Sequence, residues 1–320
     1  MVEISKETIG ASLLIPIPMK SHEIIKTVIE EELIHQDLLK FKFQSFEVPC
    51  NVSINIHCQD ARKVVVRFLN EVESRKNVSK RSVNNGSHFE EVHEKGSSKY
   101  YGKSHESYDA VFLDPFSPLK SPELYSVEFF KVLKVLMKDD GMIMTYTSAA
   151  PVRSALVETG FHVGEGPSFG GKKGTIASSA VENIDKQLSS LDERMIALTD
   201  TGVPFRDPKL KSSGSEINKK REKEREYVRN KYKFASTIRA PVYLCRDLED
   251  SRLKRRVLKN LHDMGFEDLN SSKSRFIVCP QFDRCICGRN CRIFDSSRDR
   301  ILEMSKRLGE VLKEGNQKVN

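Results

Sequence analysis

Tyr108-Asp109-Ala110-Val111-Phe112-Leu113-Asp114-Pro115-Phe116-Ser117-Pro118 decides how the rest of the chain is read. An apolar run ends on a carboxylate, and prolines follow at once. The pattern predicts a buried strand whose last residue is Asp114. Pro115, Pro118 and Pro122 restrict the backbone just beyond it, which holds Asp114 rigidly at the edge of a sheet. A proline-rich turn that caps the next helix would have the same composition.

Downstream, Phe129 to Met137 has helical character, Asp139-Asp140-Gly141 reads as a turn, and Met142 to Tyr146 as a second strand. Pro151 to Glu158 is a helix stopped by Gly160, and Phe161-His162-Val163 opens another strand. Upstream, Val2 to Lys6 reads as a strand end turning into a helix. Ile24, Ile25, Val28, Ile29, Leu33 and Ile34 follow the helical period, and Val52, Ile54 and Ile56 alternate as in a strand. Ala61 to Leu69 reads as a helix. Strands alternating with helices predict an α/β fold, a Rossmann-like and mostly parallel sheet over residues 1–180. Within it, residues 70–107 are polar and read as a mobile surface insertion with solvated His88, His93 and His105.

Residues 181–237 read as a charged helical linker, with helices over 180–198 and from Ser215 to Tyr232. The second is built almost entirely from Lys, Arg and Glu, and is either a solvated spacer or a helix that lies on RNA. Residues 238–320 form a small C-terminal α/β or α-rich unit. It has a strand-like Val242-Tyr243-Leu244, two helices, a cysteine loop and a last helix from Arg298.

The 320 residues carry 53 Lys and Arg against 45 Asp and Glu, a net charge of +8. That excess favours an anionic partner such as nucleic acid. No apolar run approaches the roughly 20 residues of a membrane span. With no basic-then-apolar leader at the start, a cytoplasmic protein without membrane contact is expected. Seven cysteines in such a chain argue against a disulfide framework. Cys50, Cys58 and Cys245 are scattered. Cys279, Cys285, Cys287 and Cys291 follow the pattern Cys-x5-Cys-x-Cys-x3-Cys, with Gly288 permitting a tight turn. Four thiolates in one short loop suit Zn²⁺ or an iron–sulfur cluster, with free structural thiols or redox chemistry as the alternatives. Arg284, Arg289 and Arg292 surround that loop, so it could also touch RNA.

In open α/β sheets ligands sit beyond the C-terminal ends of the strands. Glu3, Asp60 and Asp114 fall at such ends. Carboxylates there can accept hydrogen bonds from a ribose diol or an adenine amine.

Asp114-Pro115-Phe116-Ser117-Pro118-Leu119-Lys120-Ser121-Pro122-Glu123-Leu124-Tyr125 resembles the signature of the tRNA 5-methylaminomethyl-2-thiouridine methyltransferases. The likeness continues through Gly141 to Arg153, Gly160 to Val163 and Phe169 to Thr175, and reaches toward Pro204 to Pro208. It implies a methyltransferase that uses S-adenosylmethionine on an amine of a modified wobble uridine in tRNA. By position it implies Glu3 on the cofactor ribose, Asp60 at the adenine and Asp114 beside the methyl group. Phe116 would form an apolar wall there, and Arg153, Lys172 and Lys173 would face tRNA phosphates. The family's first strand and its Gly-x-Gly loop have no counterpart before Met1, and Gly10 cannot substitute. Either translation starts upstream or the chain is truncated and binds the cofactor weakly; a partner chain supplying the missing strand has no support. No flavin-binding fingerprint is present. A spermidine synthase-like aminopropyltransferase shares a Leu-Tyr-x-x-Glu-Phe-Phe segment, matched by Leu124 to Phe130. A non-catalytic RNA-binding or interaction module is the third reading.

Overall fold

The structure is a computed structural model that describes residues 57, 59–84, 108–169 and 172–317. The chain divides into two compact units, Met1–Val64 and Val65–Asn320. Glu3, the helix expected from Ile24 and the strand expected from Val52 to Ile56 lie outside the described residues.

Helix α1, Ala61–Asn84, runs well past the expected end at Leu69 and takes up the start of the polar stretch read as an insertion. Residues 85–107, with the three histidines, lie outside the described residues.

Four strands form one sheet: β1 (Tyr108–Leu113), β2 (Met137–Thr145), β3 (His162–Phe169) and β4 (Lys172–Ser178), in the order β1-β2-β4-β3. β1 and β2 are parallel, while β4 is antiparallel to both β2 and β3. Three strands therefore share one direction and only β4 is reversed, which makes this the mostly parallel sheet of an α/β fold. The reversal needs only a hairpin turn after β3, where a parallel neighbour would need a crossover of a dozen residues.

Helix α2 (Val127–Leu136) makes the crossover from β1 to β2. Ser126 caps it by accepting a hydrogen bond from the Phe129 backbone N–H at 3.3 Å. Its inner face buries Val127, Phe129, Phe130, Val132, Leu133 and Leu136. Helix α3 (Ala150–Thr159) has a proline in its first turn and ends on Gly160 at φ +93°, where a left-handed residue takes up the loose carbonyls.

The expected turn at Asp139-Asp140-Gly141 falls inside β2 as an irregularity: Met137 pairs with Tyr108 and Met142 with Ala110, so Lys138 to Gly141 stand opposite Asp109 alone. Glycine is needed at 141 for closeness: a Cβ there would lie 3.0 Å from the Tyr108 carbonyl oxygen. β1 is also less buried than its sequence suggests, since among the described strands it is an edge. Phe112 is 76% exposed, and only Leu113 is buried.

The helix expected over 180–198 is reduced to a 3₁₀ turn, Val181–Asn183, and α4, Ser190–Ala197. The chain between them lies along the edge of β3: the Glu165 N–H donates to the Lys186 carbonyl at 2.9 Å, and Gly164 bridges to Gln187. Pairing with an exposed strand edge satisfies the same backbone groups a helix would have used.

Helix α5 (Gly214–Tyr232) begins with a capping box between Ser213 and Glu216. The C-terminal region is helical among the described residues: α6 (Ser251–Asp263), α7 (Ser272–Val278) and α8 (Ser297–Gln317). The strand expected at Val242 is a 3₁₀ turn, Ala240–Tyr243, since Pro241 cannot donate to a strand ladder. Leu198, Leu244, Val257, Leu261, Ile277, Val278 and Met304 form one core that joins α4 to α6, α7 and α8. Each large aliphatic side chain in it contributes about 1.5–3 kcal/mol through burial. Polar contacts tie this region to the sheet region: Ser297 Oγ accepts from the Leu188 N–H at 2.8 Å, and Arg300 reaches buried Glu193 at 2.7 Å.

Candidate functional site

The parallel register places Leu113 beside Thr145, so Asp114 and Tyr146 emerge together past the C-terminal ends of β1 and β2. Asp114 is exposed, and Pro115 behind it is buried. The loop then folds tightly: the Ser117 carbonyl accepts from the N–H groups of Lys120 at 2.8 Å and Ser121 at 3.0 Å. A 3₁₀ turn, Pro122–Tyr125, buries all four of its residues and anchors the far end. Phe116 is 54% exposed at the tip, with the Lys120 ammonium 6.0 Å from its ring centre.

Two tyrosines brace this loop. Tyr146 donates its hydroxyl hydrogen to the Pro115 carbonyl at 3.1 Å, pinning the residue after Asp114. Tyr125 is fully buried, and its hydroxyl has no partner with hydrogen-bond geometry. Burial pushes its phenol well above the ordinary range. A contact with the Thr145 side chain opposes that shift, while Tyr146 and the Asp114 charge add to it. Tyr125 stood in the quoted motif without a role, and Tyr146 carried no local signal, because its partner lies 31 residues away.

Arg153 is not a surface cation. It is 1% exposed, donating to Thr175 Oγ1 at 2.9 Å and to the Gly174 carbonyl at 3.0 Å, and pairing with Asp192 at 3.1 Å. Thr175 in turn donates to the Thr147 carbonyl at 2.7 Å. Arg153 thus ties α3 to the ends of β2 and β4. Burial pulls its guanidinium below the usual value, against the Asp192 charge. Its expected phosphate contact is corrected: a buried guanidinium tied to Thr175, Gly174 and Asp192 offers nothing to RNA. Lys173 is half-exposed and shares Glu165 with Lys186. The Lys172 side chain lies outside the described atoms. A hollow of about 220 Å³ lined by Ser154, Ile196, Thr199, Val228 and Leu308 is bordered by neither Asp114 nor Phe116.

In the other unit, Asp60 caps α1. Its carboxylate accepts from the Arg62 N–H at 2.9 Å and from the Arg62 guanidinium at 2.8 Å. Against the upward push of burial, these Arg62 contacts hold the carboxyl below its usual value.

Cys279, Cys285, Cys287 and Cys291 converge, with all four sulfurs within 4.8 Å of one another, so the set could hold a metal ion. The backbone N–H groups around Cys285, that of Cys291 foremost, pull its thiol down to about 5 against the effect of burial. Burial among the neighbouring thiols pushes Cys287 up to about 12.

Residues 88–181, which include the Asp114 loop and the sheet, match the S-adenosyl-L-methionine-dependent methyltransferase family. A protein of Methanocaldococcus jannaschii named only as uncharacterized is 30% identical over 275 residues, which is 85% of this chain and 63% of that protein. The tRNA 5-methylaminomethyl-2-thiouridine biosynthesis bifunctional protein MnmC of Azoarcus sp. is 34% identical over 95 residues, 30% of this chain and 15% of that protein. Its Ralstonia nicotianae counterpart is 43% identical over 65 residues, 20% of this chain and 10% of that protein. The crystal structure of MnmC2 from Aquifex aeolicus is 31% identical over 39% of this chain and 40% of that one, with a TM-score of 0.36. The chain thus spans less than two thirds of each of these proteins. No helix among the described residues is long and apolar enough to cross a membrane.

Proposed function

We propose that the protein is an S-adenosylmethionine-dependent methyltransferase that acts on an amine of a modified wobble uridine in tRNA. The observation that carries the reading is Asp114. A carboxylate is held at the C-terminal rim of a parallel strand pair by Pro115 and Tyr146, inside the segment that matches the methyltransferase family. An exposed carboxylate and, two residues on, an exposed aromatic ring suit a sulfonium and an amine. S-adenosylmethionine, when bound, supplies an electrophilic methyl group. Glu3 and Asp60 are the proposed partners of its ribose and adenine; Asp60 keeps acceptor capacity beyond its bonds to Arg62. Asp114 would orient the attacking amine by accepting its N–H, aim the lone pair, and take or relay the proton released as the C–N bond forms and the sulfur–methyl bond breaks, its electron pair staying on the sulfur. Phe116 excludes water from that face. Tyr146 acts as a positioning residue by fixing the Pro115 carbonyl.

The proposed tRNA surface is α6. Arg252, Arg255, Arg256 and Lys259 are exposed, share one helix face at helical spacing, and form no ion pair among the described residues. Val257 and Leu261 bury the opposite face. Four unneutralised cations along little more than two turns suit a phosphate backbone.

The test is methyl transfer from labelled S-adenosylmethionine to bulk tRNA, followed by nucleoside analysis. Asp114→Asn should lower turnover at least about 100-fold while tRNA affinity holds. Undiminished activity in that variant, or label on a nucleoside other than the wobble uridine, overturns the proposal.

A further inference from the structure

The four cysteines have no place in methyl transfer, and their geometry says more than that they could bind a metal. Their Sγ atoms are 3.9 Å apart between Cys279 and Cys285, 3.7 Å between Cys285 and Cys287, and 3.3 Å between Cys287 and Cys291. No pair exceeds 4.8 Å. One metal ion with tetrahedral bonds of about 2.3 Å to sulfur sets its four sulfurs about 3.8 Å apart. A four-iron cluster places each thiolate on its own iron and spreads the sulfurs beyond that single tetrahedron. We infer that this loop binds one tetrahedral ion of the zinc class, through Cys279, Cys285, Cys287 and Cys291, as a closed structural site.

The surroundings fit that ion. Cys279 comes from the end of α7 and the other three from the loop that follows, so one ion clamps the loop against its helix. Gly288 at φ +76° and Asn290 at φ +55° turn the chain between Cys287 and Cys291 and bring the last sulfur back. The Ile286 N–H points at the Cys279 sulfur at 3.4 Å, as amides do around thiolates rather than thiols. Four thiolates and one divalent ion leave two negative charges, and the Arg307 guanidinium stands beside Cys291. Arg289 and Arg307 lie against the Phe276 ring, 4.1 Å and 4.7 Å from its centre. Arg307 is 5% exposed, faces Cys291, and is held by the Phe276 carbonyl at 2.9 Å and by Glu303 at 2.8 Å. Since Arg307 stands on α8, the ion would also fasten α7 and its loop to that helix. Four thiolates leave no open coordination position, so the site does not bind substrate.

The test is independent of methyl transfer. The purified full-length chain should contain about one zinc per chain with no acid-labile sulfide. Cobalt should replace zinc and give the intense visible bands of a tetrahedral thiolate complex. Cys285→Ser should lose the metal, while Cys245→Ser, outside the cluster, should keep it. Should Cys285→Ser fail to fold, titration of zinc into the reduced, chelator-treated wild-type chain replaces it. A 1:1 endpoint with release of protons supports the inference, and a raised melting temperature on zinc addition supports the clamp. Iron with acid-labile sulfide overturns it in favour of a cluster. A folded chain whose four cluster thiols titrate freely and take up no metal overturns metal binding altogether.

Discussion

Helices α5 and α6 are both densely charged, and they put their arginines to opposite uses. On α5, Arg221 is buried and donates to the Val203 carbonyl at 2.7 Å and to the Thr201 carbonyl at 3.1 Å, with its guanidinium 4.9 Å from the Phe205 ring centre. Arg225 and Arg229 both reach Asp200 at 2.8 Å, a carboxylate that is 1% exposed. What reads as a solvated spacer is a strut that organises the segment from Thr199 to Phe205. On α6 the cations of the outer face meet no carboxylate among the described residues, and the helix is held by its apolar side and by buried Asn260, which donates to the Lys233 carbonyl at 2.9 Å and accepts from the Ala235 N–H at 3.2 Å. The lesson is that a run of Lys and Arg says little until each cation's partner has been counted.

The largest expected effect breaks the α5 side of this contrast. Asp200→Ala leaves two guanidinium groups beside a buried site without their counterion, and should cost about 3 kcal/mol of stability, read by urea denaturation. A loss below about 0.5 kcal/mol would mean that α5 is a spacer after all.

Next comes the α6 side. Replacing Arg252, Arg255, Arg256 and Lys259 together by Gln should weaken tRNA binding at least about tenfold and lower the salt dependence of log K by about 3. Stability should change by less than about 0.5 kcal/mol for each substitution. The same replacement of Lys219, Lys220 and Lys223 on α5 should change tRNA affinity much less. Equal losses on both helices would erase the distinction.

The smallest effect is one of pH. Hydrogen bonds and charge from Arg229, then Arg225, hold Glu222 below the ordinary carboxylate value, and the Ser213 backbone and hydroxyl do the same for Glu216. A depressed carboxylate contributes stability that is full above its unfolded value near 4.5 and is lost as pH falls through the folded value. Both groups are well exposed, so solvent screening keeps their contribution small. Acid should therefore loosen α5 slightly below about pH 4.5, and hydrogen exchange of its amides is the sensitive measurement. Loosening that grows as pH rises would contradict the sign.

The α/β alternation around Asp114 was legible because its signals are local. An apolar strand, a serine before α2, a proline opening α3 and Gly160 closing it each act within about one helical turn. The misreadings share a cause. Arg153 looked like a surface cation because its partners, Thr175 and Asp192, are far along the chain. Residues 184–189 looked helical because nothing local announces that Lys186 pairs with the edge of β3. The strand expected at Val242 became a 3₁₀ turn once Pro241 and the core around Leu244 and Leu261 were assembled.

The sequence by itself determined which backbone could do what: where a strand must stop at Asp114, where prolines stiffen the loop, where glycine permits a turn, and which four cysteines share one short loop. Only the tertiary structure decided which charges are engaged and which remain exposed, and how close the four sulfurs come. Propensity and capping act between neighbours in the chain, whereas counterions and buried partners are chosen by packing between segments distant in sequence, as with Asp200 and Arg229.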